Sequence, residues 1–384
     1  MMPSPLDYPD FRRFIVNNAI TSGVFPLSEM TVMWLFYVNL HNLLLFSLVA
    51  SSRVISRIVV SPIAGYLGDR YDRGKVLFVT KAISPAFLVV LALLMGYHMY
   101  LAGLAVVYAR AFNSEMSTQT GSASIVTMVP KELMSRAIFI NRSFKEPSTL
   151  AGTLAWPFLL NYLGPYVLFI SATALAISLP LVRNLRINQG KKEVNLLTGF
   201  KIFITRPEAR GAILGLAVDQ AAISFLINYT PLLVSLEGGT QIFYSLAQAA
   251  FYVGIFFGSY VVTKLKSSSL MDLINLVLKV SLFPPLLLHT PWALLYSMFA
   301  LTFADANLEI MWFRALRKGA GDEYLTSIIG VDELMTNVGR ITVLEIVPLI
   351  LTAGLFPLVG LGLALIGVEG IIHLLHKQIL DIEK

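Results

Sequence analysis

The stretch SPIAGYLGDRYDRGKVL, Ser61–Leu77, sets Asp69-Arg70 and Asp72-Arg73 among three glycines, between two long apolar runs. Charge is scarce elsewhere. Of 384 residues, 56% are hydrophobic and only 14% charged. Soluble domains carry about 25% charged residues, so this chain has too few to cover a surface in water. Apolar runs recur along its whole length, and each approaches the ~20 residues that a helix needs to cross a bilayer. The sequence therefore reads as an all-α polytopic membrane protein, and Ser61–Leu77 as a turn between two spanning helices.

Twelve spans are expected. Six lie at 14–38, 41–67, 75–95, 99–122, 138–160 and 165–183. Six more lie at 208–235, 240–263, 270–289, 291–313, 326–351 and 355–375. This gives an N-terminal six-helix bundle over 1–185, a linker over 186–207 and a C-terminal six-helix bundle over 208–384. Lysine and arginine then gather on one side: Arg12, Arg13, Arg70, Arg73, Lys75, Lys131, Arg136, the linker, Lys264, Lys266, Arg314, Arg317, Lys318, Lys377 and Lys384. The asymmetry puts both termini and the linker in the cytoplasm, with the plasma membrane as the expected location. Net charge of +6 is then a topology signal with some attraction to lipid headgroups, and nucleic acid is not an expected partner. MMPSPLDYPDFRR does not read as a cleavable signal peptide. The absence of cysteine removes disulfides and thiolate sites. Two glycine-proline turns, in NYLGPYVLFI and AGLFPLVGLGLALIG, are a faint sign of repetition between the halves.

At the opening stretch, Gly65 and Gly68 permit close helix approach. Asp69 lies near the next helix N-terminus, and Arg70 and Arg73 can pair bidentately with carboxylates elsewhere. Gly65-Tyr66-Leu67-Gly68-Asp69-Arg70-Tyr71-Asp72-Arg73 resembles the loop signature between the second and third helices of major facilitator superfamily transporters. Gly65, Asp69, Arg70 and Arg73 match it, whereas Asp72 stands where the family usually has glycine. The resemblance implies two six-helix bundles, alternating access and a gate-stabilising role for Asp69 and Arg73 on the cytoplasmic side. The second half echoes the loop only partly, with Gly254, Gly258, Lys264 and Lys266 and no Asp-Arg.

Ionisable residues inside spans are costly and usually face a cavity or a partner. Glu29 lies deep in the first span and Asp219 in the seventh, while Arg53 and Arg57 share one face of the second. Arg110 and Glu115 of the fourth span sit about 140° apart on a helical wheel, so each should find its partner on another helix. Arg110 also resembles the arginine of a fourth-helix signature in proton-coupled exporters of the superfamily, which would make it modulate a nearby carboxylate. Glu29, Arg53, Arg110, Glu115 and Asp219 are the candidates for proton coupling or the solute cavity. Glu146, Asp305, Glu309, Arg340 and Glu345 are secondary candidates. The histidines are too dispersed to describe a metal site, and GLGLALIGVEG reads as a close-packing stripe rather than a phosphate loop.

The expected activity is secondary transport without covalent chemistry, with no cofactor and no metal. A small solute would be moved by alternating access, as proton-coupled export of amphipathic or drug-like compounds. Uptake or facilitated diffusion of a sugar, organic anion or other metabolite stays open, as does a different class, a lipid scramblase or a receptor. The partners are the solute, protons and membrane lipids, and the protein is expected to be a monomer.

Overall fold

The computed structural model describes residues 4–40, 42–70, 72–130, 133–183, 185, 196–264, 275, 277–320 and 325–375. Side chains at 64–70 and 306–311, among others, lie outside the described residues. The chain divides into two compact units, Met1–Glu193 and Val194–Lys384.

The first unit is built from α1 (Pro9–Leu40), α2 (Leu43–Arg70), α3 (Arg73–Gly96), α4 (Tyr100–Met128), α5 (Met134–Leu163) and α6 (Val167–Val182). Turn chemistry sets several of the boundaries. The Asn42 Oδ1 accepts from the amides of Leu44 and Leu45 at 3.0 and 3.1 Å, which starts α2. Asp72, from the opening stretch, has a local structural role. Its carboxylate accepts from the Lys75 amide at 3.1 Å and caps α3. An aspartate is therefore useful where the family pattern has glycine. The expected gate residues Gly65, Asp69 and Arg70 lie on the last turns of α2, and their side chains are outside the described residues; Arg73 opens α3.

Helix α1 packs on α5 and α6, α3 on α4 and α6, and α2 on α4. Two apolar clusters occupy opposite ends of this unit. Phe11, Phe14, Leu77, Val129 and Val182 form one, and Val32, Phe36, Leu88, Leu91 and Leu168 the other. Between them α1 and α5 come so close that a Cβ at Gly152 would run into the Gly23 carbonyl oxygen.

The second unit holds α7 (Leu196–Thr205), α8 (Pro207–Asn228), α9 (Thr230–Leu236), α10 (Gln241–Lys264) and α11 (Val277–Leu288). It continues with α12 (Pro291–Ala320), α13 (Leu325–Leu351) and α14 (Leu355–Leu375). Helix α8 is its hub, packed against α12, α13 and α14. Three expectations change here. The span expected at 208–235 is broken at Tyr229, because Pro231 sits in the first turn of α9 and has no amide to continue the ladder. Residues 196–205, expected within the linker, form a helix whose Ile202 joins Ile213, Trp312 and Ile328 in the core. The α14 glycines pack closely only at Gly362, against the Phe283 ring; Gly360, Gly367 and Gly370 face open space.

Among the described residues, eight helical stretches are long and apolar enough to cross a membrane, not the expected twelve. The difference has identifiable sources. Residues 136–182 run through the α5–α6 turn as one apolar stretch, α4 carries polar residues through its middle, and only Val277–Leu288 of α11 and part of the α12 side chains fall among the described residues. The two units nevertheless share turn geometry in the same order. His98 between α3 and α4 and His289 between α11 and α12 are both left-handed, with φ of 58° and 49°. Gly164 between α5 and α6 and Gly354 between α13 and α14 also have positive φ, at 54° and 100°, with the Gly164 ψ at −134°. These glycines belong to the two turns whose sequences hinted at repetition.

The α1–α5 contact yields a paired prediction. Gly152→Ala should lower the thermal unfolding midpoint of the detergent-purified protein, at an overpacking cost of about 1–3 kcal/mol. Gly23→Ala should leave it nearly unchanged, because its Cβ would meet Ser148 only at 3.4 Å.

Candidate functional site

In the first unit three helices bring their charges to one place. The Arg110 Nη2 of α4 lies 2.6 Å from the Glu29 Oε1 of α1 and donates to the Ser28 hydroxyl at 2.9 Å. One turn further along α4, Glu115 is held by α2: its Oε1 accepts from the Arg53 Nη2 at 3.3 Å, and its Oε2 from the Arg57 Nε at 3.2 Å. The i,i+4 spacing of Arg53 and Arg57 lets both reach the same carboxylate. Arg53 also lies over the Phe25 ring, 4.8 Å from its centroid. Glu115 is sealed at 1% exposure, while the side chains of Arg53 and Arg57 keep 37% and 32%. The cluster thus combines three guanidiniums, two carboxylates and an aromatic face. It contains four of the five principal sequence candidates.

The fifth, Asp219, belongs to the second unit and a different arrangement. It pairs with Lys279 of α11, whose Nζ also donates to Glu369 of α14 at 2.9 and 3.0 Å. Beside it, Gln220 donates to Asp305 of α12 at 2.6 Å and accepts from Arg340 of α13. Asp305 and Arg340, separate candidates in the sequence, are therefore joined through one amide. Glu146 lies beside Lys145, 3.8 Å away on a solvent-touching face of α5, and Glu345 is partly buried on α13. The Glu309 side chain falls outside the described residues.

Two lysines belong with these groups although the candidate set above lacks them. Lys279 is almost fully buried, and Lys81 of α3 is partly buried and donates to Asn17 and Thr21 of α1. Each stands alone in an apolar run, VTKAI or LKVSL, and that isolation is the sequence signal for both. Among the described residues no group of His, Asp or Glu is arranged to hold a metal ion.

Outside the spans, Glu237 follows α9 and is 4% exposed. Burial pushes its carboxyl above the ordinary range, against the opposing influence of His289 and the Thr290 amide. The folded state then binds this proton more tightly than the unfolded chain. Stability is greatest in acid and falls as pH rises from the ordinary carboxylate value through the raised one. Glu237→Gln should accordingly raise the unfolding midpoint near neutral pH and do little in acid.

Glu115→Gln should lower the midpoint, since it leaves two guanidiniums facing each other. Its cost should stay below the roughly 3–5 kcal/mol of a fully buried pair, because both arginines are only partly enclosed. Adding Arg57→Gln should recover part of the loss.

Comparison with known proteins places this geometry. The sequence pattern of the Major Facilitator Superfamily matches residues 16–344. A search of curated proteins finds no match. Among solved structures, a mutant of the nucleoside transporter NupG has a TM-score of 0.76 at 15% identity, with 96% of this chain and 99% of that chain covered. NupG itself gives 0.69 at 12% identity, covering 97% and 100%. A bacterial homologue of the human lysosomal transporter Spinster, inward-facing and unoccupied, gives 0.64 at 13% identity, covering 99% and 97%. At these identities the structures show a shared fold. The family match spans most of the sequence, and the chain belongs to the Major Facilitator Superfamily, whose members are secondary transporters working by alternating access.

Proposed function

We propose that this protein is a proton-coupled transporter that exports amphipathic or drug-like solutes, with the α1–α2–α4 cluster as its coupling and solute site. In this reading it is a monomer of twelve spans in the plasma membrane. Two six-helix bundles rock about the solute, both termini are cytoplasmic, and Asp69, Arg70 and Arg73 latch the cytoplasmic side. The observation that carries it is the 2.6 Å pair between Glu29 and Arg110. While Glu29 is ionised, it occupies the Arg110 guanidinium. When Glu29 takes a proton, the pair loses its Coulomb attraction and Arg110 is released to seek another partner. A cationic amphiphile competes with the proton for Glu29, so proton and solute bind in alternation, as exchange requires. Phe25 offers such a solute an apolar face.

A second reading is favoured by the surplus of guanidinium, three against two carboxylates. An organic anion would bind Arg110 best when Glu29 is protonated. Proton and anion would then enter together, and transport would be uptake.

The test is purified protein in liposomes with an imposed pH gradient and an internal pH-sensitive dye. Under the export reading, cationic amphiphiles move protons against solute flow; under the uptake reading, organic anions move them with it. Glu29→Gln should abolish solute-dependent proton movement, because the glutamine amide has no proton to exchange at these pH values. Undiminished proton movement in that variant would remove Glu29 as the carrier.

A further inference from the structure

Positive charge is concentrated between the two halves of the sequence. Of the net +6, the stretch Arg183–Arg210 carries +5, with seven basic residues against two acidic. The short helix α7 lies within it and is firmly held on one face. Gly199 presses against the Ser327 carbonyl in the first turn of α13, where a Cβ would clash. Ile202 joins Ile213, Trp312 and Ile328, and Phe200 and Phe203 pack around them. These contacts fix α7 at the end of the second unit where α8 and α13 begin. Arg206 is extended and separates α7 from α8, so α7 does not prolong the span. The lysine and arginine asymmetry assigns this end to the cytoplasmic side.

The opposite face of α7 is open. Leu197, Lys201 and Ile204 follow at i, i+4 and i+7, within an arc of about 60° on a helical wheel. Leu197 and Ile204 are 80% and 66% exposed, and Lys201 is exposed beside them. Aliphatic side chains this open are ordinary on a spanning helix, where lipid tails cover them. Helix α7 has only ten residues and is too short to span. Two more bases flank its end. Arg206 is exposed in the link, and the exposed Arg210 of α8 reaches back, its Nη1 donating to the Ile204 carbonyl at 3.5 Å. With Glu208 as the one acid, residues 196–210 hold three bases and a charge of +2.

This combination selects its surroundings. Water suits the lysine and the arginines but not Leu197 and Ile204, and hydrocarbon suits only the aliphatics. The boundary between headgroups and acyl chains suits both, because aliphatic side chains enter it to a shallow depth while a lysine stem lies along them and its ammonium reaches the phosphates. The excess of positive charge favours anionic headgroups over zwitterionic ones.

We propose that α7 is an interfacial helix that docks on anionic phospholipid of the protein's own membrane, with Leu197 and Ile204 inserted and Lys201, Arg206 and Arg210 on the headgroup phosphates. The inference is independent of which solute is carried and of proton coupling. Lipid held at this face bears on the ends of α8 and α13, to which α7 is packed.

The chain has no cysteine, so a single introduced one carries a spin label without background. Leu197→Cys and Ile204→Cys, labelled separately in the full-length protein, are placed in nanodiscs of phosphatidylcholine and phosphatidylglycerol. Each label should be more accessible to oxygen, which concentrates in hydrocarbon, than to a water-soluble nickel chelate. Lipid choice is read by titrating the detergent-purified protein with short-chain phosphatidylglycerol or phosphatidylcholine under native mass spectrometry. Lys201→Gln and Arg210→Gln should each lower the preference for phosphatidylglycerol about fivefold. Both side chains are exposed, so the unfolding midpoint in detergent should stay at the wild-type value and serve as the folding control. Labels that meet the chelate more readily than oxygen would overturn the proposal. Labels shielded from both reagents would also overturn it, by placing protein on this face. So would an unchanged phosphatidylglycerol preference in the folded double variant.

Discussion

A charge among membrane-spanning helices must be matched within reach by an opposite charge or by polar groups that hydrogen-bond it, and the interior of this protein is arranged around that demand. Hydrocarbon offers no water to solvate an ion, and Glu29, Glu115, Asp219 and Glu369 are each met by a base from a different helix. Glu29 ties α1 to α4, Glu115 ties α4 to α2, and Lys279 ties α11 to α8 and α14. Apolar packing between helices is weakly directional in a bilayer, where lipid tails are as apolar as leucine. Ion pairs at defined depths therefore set which helix faces meet, while glycines such as Gly152 decide how closely.

The two units meet the same demand with different exposure. In the first, the guanidiniums that hold Glu115 keep about a third of their surface accessible. Pairs that are only partly enclosed can change partners with less displacement of the surrounding packing than sealed ones. In the second, the Asp219–Lys279–Glu369 group is sealed, so changing its partners means exposing or neutralising a buried ion. Alternating access asks a protein to have contacts that change and contacts that hold. The exposed cluster suits the first need, and the sealed one the second.

Asp72 shows how a local departure from a family pattern can be absorbed. Glycine at that position would supply turn freedom; aspartate instead supplies a carboxylate that satisfies the Lys75 amide at the start of α3. The short connection between α2 and α3 is kept by a different physical device.

Much of this was legible in the sequence, because composition and periodicity report directly on solvent. Apolar runs of bilayer length, the sidedness of lysine and arginine, and the Gly65–Arg73 signature together identified an all-helical membrane protein resembling the superfamily to which the chain belongs. The helical wheel also separated Arg110 from Glu115, which the structure pairs with different helices. Partner choice needed the tertiary structure. Glu29 and Arg110 are far apart in sequence, and nothing local marks Glu369 as the second carboxylate on Lys279. Nor does hydropathy reveal the break at Tyr229, the helix at Leu196–Thr205, or which α14 glycine meets a neighbour. Solvent acts on every residue along the chain, so its demands are written locally. An ion's partner lies on another helix, far along the chain, and the pair exists only once the helices have packed.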